Sequence, residues 1–114
     1  MNDTLKQIHE MLLARHNALA DALGDQADPA KADAILTEMQ EILHRIDLIQ
    51  GLLFRQSSNA LENTLANITR ANKELARAIK SVDDVASFIK SVTGFLKFVD
   101  QAIDIAKQLA PLAV

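Results

Sequence analysis

The sequence predicts an all-α fold: an antiparallel bundle of three to four long helices with heptad-like packing and a strongly apolar C-terminal helix. Three features predict it. Nearly half of the 114 residues are hydrophobic while only three are glycine and two proline, a composition that favours helices over disorder or a turn-rich β-fold. Apolar residues recur at alternating steps of four and three along most of the chain. The breaks in that recurrence coincide with capping or turn residues. The length corresponds to one helical domain spanning 1–114.

The first helix is expected over about 3–23, with Asp3 or Thr4 near its N-cap and Gly24 just past its end; Leu5, Ile8, Leu12, Leu19 and Leu23 form its apolar face. The stretch Gly24-Asp25-Gln26-Ala27-Asp28-Pro29 is a loop. Asp28-Pro29 supplies a capping side chain and then a proline at the first helical position, where a missing N–H costs nothing. The second helix, about 29–54, carries Ile35, Met39, Ile42, Ile46, Ile49 and Leu53 as a heptad seam. Leu36, Leu43, Leu48 and Leu52 widen that face, so this helix should pack against at least two neighbours.

Beyond Phe54 the seam slips phase and resumes as Leu61, Leu65, Ile68, Asn72, Leu75, Ile79, Val82, Ala86 and Ile89. A turn at Arg55–Asn59 with a serine cap explains the slip, and so short a connection should make the second and third helices antiparallel neighbours. The third helix is expected over about 58–90. Ser81-Val82-Asp83-Asp84 reads as a capping box that would start a new helix, but the seam crosses it in phase, which favours one helix continuing to about 110 with a kink near Gly94.

The segment from Val85 to Val114 is the most apolar. On a helical wheel its hydrophobic residues fill roughly 200°, leaving a narrow polar stripe with Lys90, Lys97 and Asp104 in one row and Thr93, Asp100 and Lys107 in another. A helix this apolar has to be covered, by the rest of this chain, a second copy, a partner protein or a membrane. Three amphipathic helices cannot easily close over all of it, which leaves a surplus face. Phe88, Val92, Phe95, Val99, Ala102, Ala106 and Leu109 are therefore the candidate interface to a second copy or a helical protein partner. A wide apolar C-terminal helix within a long helical hairpin also resembles, in outline, components of α-helical pore-forming toxins. That likeness implies the alternative reading, a membrane-active protein exposing 85–114 to lipid. The segment's three lysines and two aspartates give it little attraction to anionic lipid.

Other function classes are disfavoured. A net charge of −3 with neither Trp nor Tyr suits no nucleic-acid binder, and the absence of cysteine removes thiolate metal sites and thiol nucleophiles. Neither a signal peptide nor an autonomous transmembrane segment is recognisable, so the expectation is a cytoplasmic protein, with export lacking a cleaved signal left open. The Asn67-Ile68-Thr69 sequon is then a chance match. Glu41-Ile42-Leu43-His44 is the one catalytic-looking step; di-iron bundles need two such steps pointing inward, and this one falls on the outer side of the second helix. No catalytic residue, metal or cofactor is expected.

Three polar residues interrupt apolar faces. Asn72 is a candidate register marker within the third seam. His9 and His16 lie on the apolar side of the first helix, about 10.5 Å apart along its axis, too far to share one metal ion; they are candidate pH-sensitive contacts because imidazole changes charge near pH 6.5.

Overall fold

The computed structural model describes residues 1–112. Among them are four helices and no strand: α1 (Asp3–Asp25), α2 (Pro29–Gln50), α3 (Asn59–Lys80) and α4 (Val85–Lys107). Each helix start is set by a side-chain cap. Asn2 Oδ1 accepts from Leu5 N at 3.1 Å, Asp28 Oδ1 from Ala30 N at 2.9 Å, Ser58 Oγ from Leu61 N at 3.1 Å and Asp84 Oδ1 from Ala86 N at 3.1 Å. Each cap satisfies a backbone N–H that the helix itself leaves unpaired.

The caps at Asp28 and Ser58 agree with the sequence reading, whereas the α1 cap is Asn2 rather than Asp3 or Thr4. Helix α1 also runs through Gly24 to Asp25, because no left-handed residue stops it. Helix α2 ends at Gln50, four residues early, and Leu52 to Phe54 belong to the turn that follows.

The continuous helix from 58 to 110 does not form. Ser81 is the C-cap of α3, with extended backbone, and Asp84 is the N-cap of α4. The Asp84 carboxylate also accepts from the Ser87 hydroxyl at 2.8 Å, and that bond, followed by the Ala86 N–H, holds its pKa below the ordinary carboxylate value. The physical reason is burial: a helix of about 50 residues would be about 75 Å long, with most of its apolar face beyond the reach of the other helices. Folding at 81–84 lays α4 back along α3. Helix α4 then passes through Gly94 without a break.

The helices form two hairpins, α1–α2 and α3–α4, and α1 also packs on α3 and α2 on α4. Around the bundle the order is therefore α1, α2, α4, α3. Consecutive α2 and α3 lie diagonally across it, not side by side as the short connection suggests, because residues 51–58 cross the end of the bundle. Helices within a hairpin are antiparallel. Across hairpins the neighbours are parallel: Thr37 lies level with Thr93 and Arg45 with Asp100 on the α2/α4 seam, so the bundle is antiparallel only in part. The result is 50 × 21 × 16 Å.

The core runs the length of this assembly, with Leu5, Ile8, Leu12, Ile35, Ile42, Ile49, Leu61, Ile68, Leu75, Phe95 and Val99 fully enclosed. In α3 the buried stripe is Leu61, Thr64, Ile68, Ala71, Leu75 and Ile79; it keeps Leu61, Ile68, Leu75 and Ile79 of the expected seam but takes Thr64 and Ala71 in place of Leu65 and Asn72, which are only half-buried. Thr64 tolerates burial because its hydroxyl donates to the Ala60 carbonyl at 2.9 Å. Ala86 and Ile89, expected inward, are exposed, since the turn at 81–84 resets the phase.

One end of the bundle is tied together by backbone. Asn2 N donates to Leu53 O at 2.8 Å, Gln56 N to Ala110 O at 2.7 Å and Leu112 N to Phe54 O at 2.7 Å, with Arg55 and Pro111 opposed in an antiparallel bridge. The Arg55 guanidinium donates to Leu109 O at 2.8 Å, and Asn2 Nδ2 donates to Arg55 O at 3.1 Å. Asn2, 3% exposed, is thus both a helix cap and a staple. Asn2→Ala is expected to cost about 2–3 kcal/mol, from a lost cap plus an orphaned carbonyl. Urea denaturation measures this, and a loss below 0.5 kcal/mol, about the size of an ordinary surface change, would show that the end is not held there.

Candidate functional site

The residues singled out as a candidate interface lie inside this chain's own core. Phe88, Val92, Phe95, Val99, Ala102 and Ala106 are each at most 2% exposed, and Leu109 is half-buried against them. The face that looked surplus in sequence is covered by α3 and α2. The last two residues of the apolar segment, Ala113 and Val114, lie outside the described residues.

The surplus sits on α2 instead. Leu36 and Leu43 are 45% and 47% exposed, and Leu13 on α1 is 39% exposed. Seven residues apart, Leu36 and Leu43 share one face of α2 with about 10.5 Å between them along the axis. They flank the inward row of Ile35, Ile42 and Ile49. The same widening residues divide by position: Leu52 is buried and Leu48 half-buried, while Leu36 and Leu43 stay in solvent.

On the opposite flank of α2 a groove of about 510 Å³ runs along α4, lined by Thr37, Glu38, Arg45, Leu96, Lys97 and Asp100 among others. Arg45 crosses it. Its Nε and one terminal nitrogen donate to the two Asp100 oxygens at 3.0 and 3.1 Å, and the other terminal nitrogen reaches Glu41, one turn back, and the Glu41 carbonyl. The contact is bidentate, two parallel N–H···O bonds from a planar fork to one carboxylate, the strongest form of this pairing. Bonding to Asp100 raises the Arg45 pKa still further, so the guanidinium stays charged.

Glu38 has no such partner. Burial raises its carboxyl pKa, the Glu41 charge adds to this, and Arg45 opposes it. A carboxyl with a raised folded pKa binds its proton more tightly folded than unfolded, so stability falls as pH climbs from the ordinary value of 4.5 through the folded one. Glu38→Gln is therefore expected to raise the melting temperature at pH 7, with the difference from wild type vanishing below pH 4.5. Equal melting curves at pH 7 would place Glu38 in free solvent.

Among the described residues no group of three His, Asp or Glu side chains is placed to hold a metal ion. The Thr37 hydroxyl donates back to the Asp33 carbonyl at 3.0 Å rather than to the neighbouring Glu38. Glu41 and His44 are exposed on the outer side of α2. No family model, curated protein or solved structure matches this chain. Its function has to be argued from its own residues.

Asn72 lies half-buried on the α1 side of α3, in a groove of about 320 Å³ with Gln7, Glu10 and Thr69, and its Oδ1 is buried without a hydrogen-bond partner. His9 and His16 are both half-buried on α1, and His9 Nε2 is likewise buried and unpaired. The structure brings none of these three residues to the α2 groove. Sequence reasoning missed Arg45 and Asp100, because residues 55 apart carry no local signal of pairing. Leu36 and Leu43 lie on the apolar side of α2 by pattern, and their exposure depends on which neighbours α2 meets.

Proposed function

We propose that this chain is a non-enzymatic helical association module that meets an amphipathic helix of a second copy through the α2 face bearing Leu36 and Leu43. The observation that carries this reading is their exposure at seven-residue spacing, beside an inward row of isoleucines. Anchors at such spacing are what an apolar helical partner engages, and the heptad-like pattern of α2 extends naturally to an added helix. Two half-exposed leucines offer far less area than the roughly 800 Å² per partner of a standard interface. The association is accordingly weak and concentration-dependent.

Light scattering across a concentration series tests it. The expected result is an average mass that rises above 12.5 kDa with concentration in the wild type and remains at 12.5 kDa for Leu36→Glu/Leu43→Glu, with helicity unchanged. A wild type at 12.5 kDa throughout removes the self-association reading. The alternative, exposure of 85–114 to lipid, requires the enclosed α4 face to turn outward, and no helix among the described residues is long and apolar enough to cross a membrane. Co-sedimentation with anionic liposomes would favour that alternative.

A further inference from the structure

The two hairpins are bound to each other unequally along their length. At the end holding the 51–58 connection, backbone hydrogen bonds tie the N-terminus, the connection and residues 110–112 together. At the far end lie the turns 26–28 and 81–84, and every hydrogen bond described there stays within its own hairpin: Gln26 N to Leu23 O, Asp28 N to Gln26 Oε1, and the Asp84 cap. Between the two ends, the Arg45–Asp100 pair is the one side-chain to side-chain hydrogen-bonded link between hairpins among the described residues.

Packing follows the same division. Helices pack more extensively within a hairpin than between hairpins. Grooves of about 510, 410 and 320 Å³ lie on the α2/α4 and α1/α3 seams, and the 410 Å³ groove reaches the far end at Asp25 and Lys80. Two smaller ones of about 280 Å³ lie along α3/α4. Of the three buried polar atoms without partners among the described residues, Arg15 Nε and Asn72 Oδ1 belong to residues that line the α1/α3 grooves, while the third, His9 Nε2, lines neither. Unpaired polar atoms and missing contacts lower the cost of separating the surfaces that hold them.

We infer that the molecule opens as a jaw. The hairpins part from the far end along the α1/α3 and α2/α4 seams, pivot about the 51–58 connection, and remain folded themselves, with the Arg45–Asp100 link, on the pivot side of the α2/α4 seam, limiting how far the seam parts. Opening uncovers the seam-facing side of α4, including Leu96, and leaves the α3/α4 contact intact. Such local opening below the global unfolding free energy draws on the regions of fewest apolar contacts. The device is a property of the closed fold and holds whatever the exposed face then meets.

The absence of cysteine lets the jaw be read by single-cysteine labelling. Leu96 and Ala71 are matched probes: they are 6% and 7% exposed, but Leu96 lines the α2/α4 groove and Ala71 the α3/α4 one. Under native conditions Leu96→Cys should react with a maleimide at least tenfold faster than Ala71→Cys. Adding Asp100→Asn should accelerate Leu96→Cys by about a further tenfold and leave Ala71→Cys unchanged. If Leu96→Cys fails to fold, Ile79→Cys on the α1/α3 groove is compared with Ala71→Cys in the same way. Equal labelling of the seam and hairpin probes, or equal acceleration of both by Asp100→Asn, would mean that the bundle opens only by unfolding as a whole and would overturn the proposal.

Discussion

Val99→Lys is expected to abolish the native fold, with helicity lost by circular dichroism at 25 °C. Val99 is 0% exposed at the centre of the α4 face that packs into the bundle. An ammonium there must leave water with no carboxylate placed to receive it, at a cost of several kcal/mol, against a total stability of about 5–15 kcal/mol for a domain of this kind. The control is Thr93→Lys. Thr93 is exposed at the rim of the α2/α4 groove near Glu38 and Asp100, so a lysine there should leave mass and helicity alone. If Val99→Lys kept its helicity and lost only a higher mass, Val99 would lie between chains rather than within one. Equal tolerance of the two changes would remove the packing described for α4.

Phe95→Ala and Phe54→Ala should separate by several kcal/mol in urea denaturation, although both remove the same ring. Phe95 is 0% exposed, and truncating an enclosed phenylalanine costs about 3–5 kcal/mol through lost transfer energy and the cavity left behind. Phe54 is 66% exposed in the turn after α2, where its side chain contributes little while its carbonyl accepts from Leu112 N whatever side chain it carries. The expectation for Phe54→Ala is within about 0.5 kcal/mol of wild type, as for surface substitutions generally. A large loss at Phe54 would mean that this end of the bundle is covered by something beyond the described residues.

Much of the architecture was legible in the chain because its signals are local. Asp28-Pro29 and the serine before Asn59 mark helix starts, since a cap is a contact over two or three residues, and the alternation of four and three reports which side of a helix avoids water. At the turn 81–84 the local signals conflict. The capping signal and the in-phase seam pointed opposite ways there, and the chain broke with Asp84 as the cap because a continuous helix would strand its apolar face in solvent.

The helical nature of the chain, the approximate starts of α1, α2 and α3, and most of each inward stripe follow from local pattern, with Leu65, Asn72, Ala86 and Ile89 the exceptions. Those properties depend on residues within one turn of one another. That α2 and α3 lie diagonally, that α4 is covered by its own chain, that Leu36 and Leu43 are left in solvent, and that Arg45 finds Asp100 emerge only in the assembled bundle. Each of these depends on which helices become neighbours. Neighbour choice is fixed by the simultaneous burial of all four apolar faces and by where a connection crosses the bundle end, and no local pattern encodes that sum.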